Sequence, residues 1–276
     1  MFNLKFLFVI LLCFAAEFTL SAQKYRNGRQ EFGLMIGGSN YFGDIAPEIV
    51  FKETKIAGGI FFKNNHSSFF SSKYFLNYAR ISGSDKNFKA NQYRNISFFS
   101  DIYELGYDLE FNFKPFGMNV NDKPTTTYVF AGFNLFFFNP KTKLANGDRV
   151  SLQRFGTEGQ ILNDKRKYAL IQPALNLGLG YKFNAGKKWD IGAEIGFRKT
   201  FTDYLDDTKG NYTDYAALNA KQGGTAVDLS QPQTTQGKPP IDIGTMRGDS
   251  HLKDWYFVMG ITISFRNVTT FCHHPF

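Results

Sequence analysis

The sequence has no run of about 18 apolar residues after its first 22 positions, so we do not expect a membrane-spanning helix. The densest apolar patch beyond that point, Leu135–Phe138, is only as long as part of a strand. Mean hydropathy is low at -0.29, yet aromatic residues make up 17% of the chain. This combination is typical of a β-barrel, whose lumen and loops are polar while its outer band is apolar and aromatic.

Histidine and cysteine, two residue types that often carry catalysis, are scarce, with 4 His and 2 Cys in the chain. The histidines His66, His251, His273 and His274 fall in a predicted turn, a loop and the C-terminal tail. None lies in a predicted strand beside a serine and an acid, as a hydrolase triad requires. We therefore predict that the protein is not an enzyme and uses no cofactor.

The formal net charge is +8 and the basic residues are spread over turns and loops. A nucleic-acid-binding protein would cluster these charges on one face or one element. The distribution therefore argues against nucleic acid and is compatible with lipid phosphates or an acidic protein partner.

The first residues have the organisation of a secretory signal. Lys5 provides the positive start, Phe6–Phe14 is apolar, and Leu20-Ser21-Ala22 is a small-residue cleavage site before Gln23. We predict a signal peptide at 1–22 and an exported chain from residue 23 onward.

Apolar and polar side chains alternate with a period of two along much of the exported chain. Between Tyr168 and Phe183, for example, Leu175, Leu177 and Leu179 share one face, while Asn176 lies on the other. A strand turns successive side chains to opposite sides, so this segment predicts a strand with one apolar face. Strands are predicted at residues 31–41, 53–62, 69–82, 96–114, 125–138, 168–183, 189–202 and 254–266.

The connections between these strands are alternately short and long, and several strands exceed the roughly 9–11 residues that cross a membrane. This parity predicts an eight-stranded antiparallel transmembrane β-barrel of the outer membrane over residues 23–266. Short turns on the periplasmic side place both termini in the periplasm, with a periplasmic C-terminal tail at 267–276. The last long connection, 203–253, contains a Gly-, Gln-, Thr- and Pro-rich stretch that we expect to be partly mobile.

Polar residues on the inward faces form a candidate lumen cluster. One interpretation is a conducting pore or a transported substrate. The other is a lumen filled by paired charges, which we favour because about eight strands leave room only for side chains or one small ligand. The cluster consists of Glu104, Asp108, Glu110, Glu194 and Arg198.

The acidic segment 203–208 has two interpretations. Its carboxylates could bind calcium, although the segment lacks the spacing of an EF-hand loop. Alternatively, it is the solvated end of a strand, which is the interpretation that we favour. We predict no metal site.

Cys272 is the only cysteine left after removal of the signal, since Cys13 leaves with it. An odd cysteine in an exported protein indicates pairing with another chain or a reactive thiol. Cys272, His273 and His274 together could also offer metal ligands, but adjacent positions give poor geometry for zinc. We interpret these three tail residues as a partner-binding site.

Three segments carry a resemblance to a known family. They are Gly37–Asp44, Thr202–Asp207, and a C-terminal block of Arg247-Gly248, Asp254–Phe257 and Gly260–Phe265. Together they resemble the PorG-type outer-membrane barrels of the type IX secretion system, and the strand pattern between them fits the same family.

The resemblance implies a non-enzymatic component of the type IX protein secretion machinery that anchors the periplasmic ring of PorK and PorN. Cargo would pass through a different, larger barrel. The ring lipoprotein PorK is then the partner implied for Cys272, and a disulfide is one form that this contact could take. The alternative is a small surface barrel whose long loops bind an external ligand or a cell surface.

Overall fold

The computed structural model describes residues 30–117, 122–144, 146–162, 167–186, 188–250 and 253–267. The predicted signal peptide at 1–22 and the tail residues Cys272, His273 and His274 lie outside this part of the chain. The described residues form strands β1 (Gln30–Phe42), β2 (Lys55–Asn65), β3 (Phe70–Ser84), β4 (Ser97–Asn112), β5 (Thr125–Lys143), β6 (Arg149–Ser151), β7 (Ile171–Asn184), β8 (Trp189–Thr200) and β9 (Trp255–Arg266), and helices α1 (Tyr215–Gln222) and α2 (Gly224–Ser230).

The sheet closes on itself through eight of these strands. Each is antiparallel to its two neighbours, and closure is made by β1 pairing with β9 and by β4 pairing with β5. The short β6 pairs only with the end of β5, which therefore extends beyond the barrel as a hairpin. The predicted fold class, an eight-stranded antiparallel barrel, is confirmed.

The alternation of side chains matches the two faces of this barrel. Leu177 on the outer face is 65% exposed, whereas its neighbour Asn176 in the lumen is 4% exposed. A continuous line of outward apolar residues crosses six strands, because the strand register pairs Ile263, Leu34, Ile60, Leu76, Leu105 and Leu135 in turn. An exterior of this kind is suited to lipid rather than water, as in transmembrane barrels. No helix among the described residues is long and apolar enough to span a membrane.

The lumen is filled rather than open. Large inward side chains are accommodated by inward glycines on neighbouring strands: a Cβ added at Gly180 would lie 2.5 Å from the Tyr128 ring. The same relation holds between Gly106 and Phe75 at 2.1 Å. Only glycine permits these close approaches, so the aromatic rings cross the lumen and occupy it.

The connections differ between the two ends of the barrel. One end, the short-turn end, carries residues 66–69, 113–124 and 185–188, and the other, the long-loop end, carries 43–54, 85–96, 144–170 and 201–254. The predicted parity agrees with this arrangement, although 113–124 is as long as 43–54 and 85–96. Gln30 and Arg266, the ends of the barrel, both lie at the short-turn end, since Glu31 pairs with Arg266.

The last long connection, 201–254, is folded, whereas its composition predicts a partly mobile segment. Helix α1 is capped at its start by Asp214, whose side chain accepts hydrogen bonds from the amides of Ala216 and Ala217, and at its end by Gly223 with φ 83°. The segment Pro232–Gln236 forms a 3-10 turn. Leu205 and Leu229 from this connection are buried in the same apolar core as Ile102 and Phe136 of the barrel. The long connections therefore form a cap on the barrel.

Candidate functional site at the long-loop end

The five predicted lumen residues all lie inside the barrel, where they are paired. Glu110 is completely buried between two lysines, with its Oε2 2.8 Å from Lys63 Nζ and 3.1 Å from Lys182 Nζ. Lys63 comes from β2, Glu110 from β4 and Lys182 from β7, so this triad joins three strands across the lumen. Glu110 Oε2 is therefore shared by two charged donors, while Oε1 is buried without a hydrogen-bond partner among the described residues.

The remaining four residues make three further sets of contacts inside the lumen. Glu194 accepts hydrogen bonds from Lys73 at 2.7 Å and from the Tyr128 hydroxyl at 2.8 Å. Arg198 donates to Glu104 at 3.2 Å. Asp108 accepts from the Asn176 amide at 3.1 Å.

Lys63, Lys73 and Lys182 were not predicted to belong to the cluster. Lys182 lies between the outward residues Tyr181 and Phe183, so the period of two already predicts that it faces inward. Lys63 and Lys73 lie in strands whose alternation is less regular. Their identification required the pairing of β2 with β3, which places the two residues side by side.

The three segments that carry the family resemblance meet at the long-loop end. The Tyr41 hydroxyl lies 2.7 Å from Asp206 and 2.9 Å from Asp254, which come from the second and third segments. Asp254 also accepts the backbone N–H of Leu205 at 2.9 Å. We call this group, together with Asp44, Asp207 and Arg247, the motif cluster.

A proton on one of the two carboxyl groups would allow both short contacts of Tyr41 to be hydrogen bonds. A hydroxyl has a single proton and donates it to one acceptor at once, so the second short contact is favourable when that carboxyl itself is protonated. Burial raises the pKa of both Asp206 and Asp254 well above the usual range, and repulsion by a neighbouring carboxylate adds to the effect, from Asp44 on Asp206 and from Asp206 on Asp254.

The first and third segments also meet at Asp44, whose two carboxylate oxygens accept the backbone N–H of Asp249 at 3.1 Å. A Cβ at Gly248 would lie 2.6 Å from that carboxylate, so glycine is needed beside it. Arg94, paired with Asp85 at 2.7 Å, donates to the carbonyls of Asp44 and Arg247. Burial raises the pKa of Asp44 to about 6.

The second and third segments meet again at Arg247, which is fully buried. Its Nη1 donates to the carbonyl of Asp207 at 2.6 Å and lies 3.2 Å from Glu158. The Asp207 carboxylate accepts hydroxyl hydrogen bonds from Thr157 at 2.5 Å and Tyr168 at 2.7 Å. Burial raises the pKa of Asp207 to about 6.

The acidic segment 203–208 is therefore buried, and our interpretation of it as a solvated strand end is wrong. Asp203, Asp206 and Asp207 all face protein, because the cap folds over the end of β8. In the part of the chain that the structure describes, no group of three or more His, Cys, Asp or Glu is placed to hold a metal ion. The arrangement binds the connections to the barrel rim and holds protons within the cap.

Two cavities open beside the motif cluster. One, of about 790 Å³, is lined by polar residues of the connections 144–170 and 201–254, including Glu158, Lys209 and Asn211. The other, of about 460 Å³, lies between the connection 85–96, the end of β5 and helix α2, and Arg247 lines it. We call the second one the basic cavity.

Of the predicted partner-binding residues, Cys272, His273 and His274 all lie outside the described residues, so their placement stays a prediction. His66 lies in the turn 66–69, where its Nε2 is 2.6 Å from the hydroxyl of Ser72.

Closed antiparallel topology, an apolar exterior and an occupied lumen define a β-barrel of the outer-membrane class. Within that class, the chain belongs to the family described as Domain of unknown function (DUF6089), whose model matches residues 5–228. No curated protein matches the chain.

Several solved structures are similar to this chain at low sequence identity. Ail of Yersinia pestis has 11% identity and a TM-score of 0.41, with 87% of this chain and 99% of that chain covered. Neisserial surface protein A has 8% identity and a TM-score of 0.42, covering 86% and 96%. OprG of Pseudomonas aeruginosa has 9% identity and a TM-score of 0.40, covering 87% and 98%.

Proposed function

We propose that this protein is a non-enzymatic, non-conducting outer-membrane anchor that holds the periplasmic PorK and PorN ring of the type IX secretion system. The observation that carries the proposal is the filled, ion-paired lumen, which leaves the outer surfaces of the barrel to perform its function. The resemblance of segments Gly37–Asp44, Thr202–Asp207 and Asp254–Phe257 to PorG-type barrels supplies the identity of the partners.

The periplasmic orientation of the docking face follows from barrel architecture. Outer-membrane barrels have short periplasmic turns and longer external loops. Gln30 and Arg266 lie at the short-turn end, and this supports our proposal that the tail 267–276 is periplasmic. A ring partner would then contact the tail and the turns 66–69, 113–124 and 185–188.

Truncation after Arg266 tests the docking face. We expect the truncated barrel to fold but to lose PorK and PorN on affinity purification from membranes. The matched control replaces Ile243 and Met246, two exposed residues of the long-loop end, with serine and keeps the ring attached. Retention of the ring by the truncated barrel would refute docking through the tail.

Cys272 gives a covalent version of the same test. The periplasm is kept oxidising kinetically, so an accessible Cys272 thiol that meets a PorK thiol is expected to form a disulfide. A non-reducing gel of untreated cells should show a band heavier than the monomer that disappears on reduction and in Cys272→Ser. A protein that runs only as a monomer, with normal secretion in Cys272→Ser, would rule out covalent docking but not the anchor.

The second candidate function, binding of an external ligand or a cell surface by the long loops, is favoured by one observation. The connections at the long-loop end form a folded cap that contains two cavities, and not a set of irregular loops. This candidate predicts that replacement of Ile243 and Met246 with serine abolishes binding of the external ligand or cell surface. Truncation after Arg266 should leave that binding intact.

A further inference from the structure

The basic cavity is built from several separate parts of the chain. Its walls come from the connection 85–96 with the first residue of β4, the end of β5, the connection 144–170, helix α2 with the 3-10 turn that follows it, and Arg247. Its volume of about 460 Å³ falls within the range of about 300–1,000 Å³ that is usual for small-molecule sites. The surrounding segments are held in place by the Arg94–Asp85 ion pair and by Arg247, so the cavity has rigid supports.

Positive charge predominates around this cavity. Lys86, Lys143 and Arg247 line it, and Asp228 is the single acidic residue among the lining residues. Lys86 and Lys143 are exposed and form no ion pair with any described residue, whereas the lumen lysines each contact a glutamate. Two unpaired ammonium groups on one small cavity favour an anionic ligand.

The buried side chain of Arg247 points to the same chemistry. A guanidinium carries five N–H donors, and the Arg247 Nη1 donors are used by Glu158 and by the Asp207 carbonyl. Its Nε is buried and has no hydrogen-bond partner among the described residues. Arg247 therefore contributes its positive charge to the wall of the cavity.

The rest of the lining distinguishes a sugar from a bare anion. Ile96, Leu152 and Leu229 are buried and give the cavity an apolar floor, against which the C–H face of a sugar ring can pack. Hydroxyl and amide groups stand around it on Ser97, Asn95 and Thr225. These groups both donate and accept hydrogen bonds, as the hydroxyls of a sugar require.

We propose that the basic cavity binds a phosphorylated sugar, with the phosphate near Lys86, Lys143 and Arg247 and the ring over the apolar floor. This site goes beyond the anchoring function and does not depend on it, because it lies at the long-loop end, whereas Gln30 and Arg266 lie at the short-turn end. The same chemistry has two possible sources, a soluble sugar phosphate and the phosphorylated headgroup of a glycolipid in the outer leaflet.

The proposal is tested by calorimetric titration of the full-length mature protein in detergent micelles. We expect glucose 6-phosphate to bind, with glucose and inorganic phosphate each binding more weakly. The Lys86→Gln/Lys143→Gln double variant should weaken binding by about tenfold or more, because it removes two charge-assisted contacts. Added salt should weaken binding to the unmodified protein, as it screens exposed charges.

A parallel titration with micelles that contain diphosphoryl lipid A or its dephosphorylated form identifies the source. Binding of diphosphoryl lipid A but not glucose 6-phosphate assigns the site to a glycolipid, and the reverse assigns it to a soluble ligand. In either case the double variant must lose binding while Lys89→Gln, an exposed lysine of the same connection that does not line the cavity, retains it.

Two outcomes would overturn the proposal. One is the absence of binding by both glucose 6-phosphate and diphosphoryl lipid A at millimolar concentration. The other is binding of equal strength in the unmodified protein and the double variant. The β-sheet circular dichroism of each variant shows that it is folded, and both substitutions are at exposed positions.

Discussion

Single residues on the two faces of a strand experience different environments in this barrel, and Leu177 is the clearest case on the lipid side. Leu177→Arg should destabilise the barrel by about 2–4 kcal/mol, because it places a charge near the middle of the apolar band. Ile171→Arg, at an equally exposed position in the first residue of β7, should cost about 0–1 kcal/mol since it is close to the interface. Urea unfolding of the reconstituted proteins measures both changes. Equal costs would contradict the proposed depth of β7.

Inside the lumen, a single residue carries two ion pairs at Glu110. Glu110→Gln should destabilise the protein by about 3–5 kcal/mol, because Lys63 and Lys182 would keep their charge without their buried partner. The same unfolding measurement applies. Glu48→Gln removes an acid that is exposed on the connection 43–54 and should leave stability unchanged. A Glu110→Gln variant as stable as that control would show that the triad contributes nothing.

The sequence predicted which face each lumen acid occupies but not the partner of each. Face depends on the period of two within one strand, and Glu104, Asp108 and Glu110 follow it closely. The ion-pair partner of each acid depends on which strand faces it across the lumen and on which residue of that strand lies level with it. The Lys73–Glu194 pair joins β3 to β8, which are not neighbours in the sheet, so no local pattern could reveal it.

At the scale of elements, strands were predictable and the cap was not. The predicted strand 189–202 differs from β8 by two residues at its end, and 254–266 differs from β9 by one. Helices α1 and α2 were missed because each is too short to be stable alone. Their stability comes from burial of Leu218 and Leu229, which depends on contacts far away in the sequence.

The cap should be more stable in acid than at neutral pH. The folded pKa values of Asp44 and Asp207, about 6, are raised above the unfolded value of about 3.9. Between these values the folded cap binds more protons than the unfolded chain, so its stability falls as the pH rises through about 6. For the fully buried Asp207 the loss is on the order of 3 kcal/mol.

Hydrogen exchange, corrected for the intrinsic rate at each pH, measures this effect as lower protection of residues 203–210 at pH 7 than at pH 4. Asp44→Asn should reduce the pH dependence but not abolish it, because Asp44 no longer ionises whereas Asp207 still does. Asp242→Asn, at an exposed position of the same end, should leave it unchanged. Protection that rises from pH 4 to pH 7 would contradict the assigned direction of the two pKa shifts.

At the scale of the whole molecule, the segments that carry the family resemblance lie at the opposite end of the barrel from Arg266, the residue after which the proposed docking tail begins. Gly37–Asp44, Thr202–Asp207 and Asp254–Phe257 meet at the long-loop end, where Tyr41, Asp206 and Asp254 join the connections to the rim. These segments therefore specify the cap and its attachment. The partner contact that the resemblance implies has to come from the other end, which explains why the motifs alone did not indicate a docking site.

The whole molecule should not conduct ions in a sustained manner. Three groups of paired side chains around Glu110, Glu194 and Glu104 cross the lumen at successive heights, and Tyr128 and Phe130 fill space between them. The apolar core beneath the cap then closes the long-loop end. An eight-stranded barrel is only wide enough for its own side chains, so purified protein in planar bilayers should show no large, steady current. A porin inserted in the same bilayers is the positive control, because its current shows that the measurement detects channels. Sustained conductance of porin size would contradict the filled lumen and favour a transport function over an anchor.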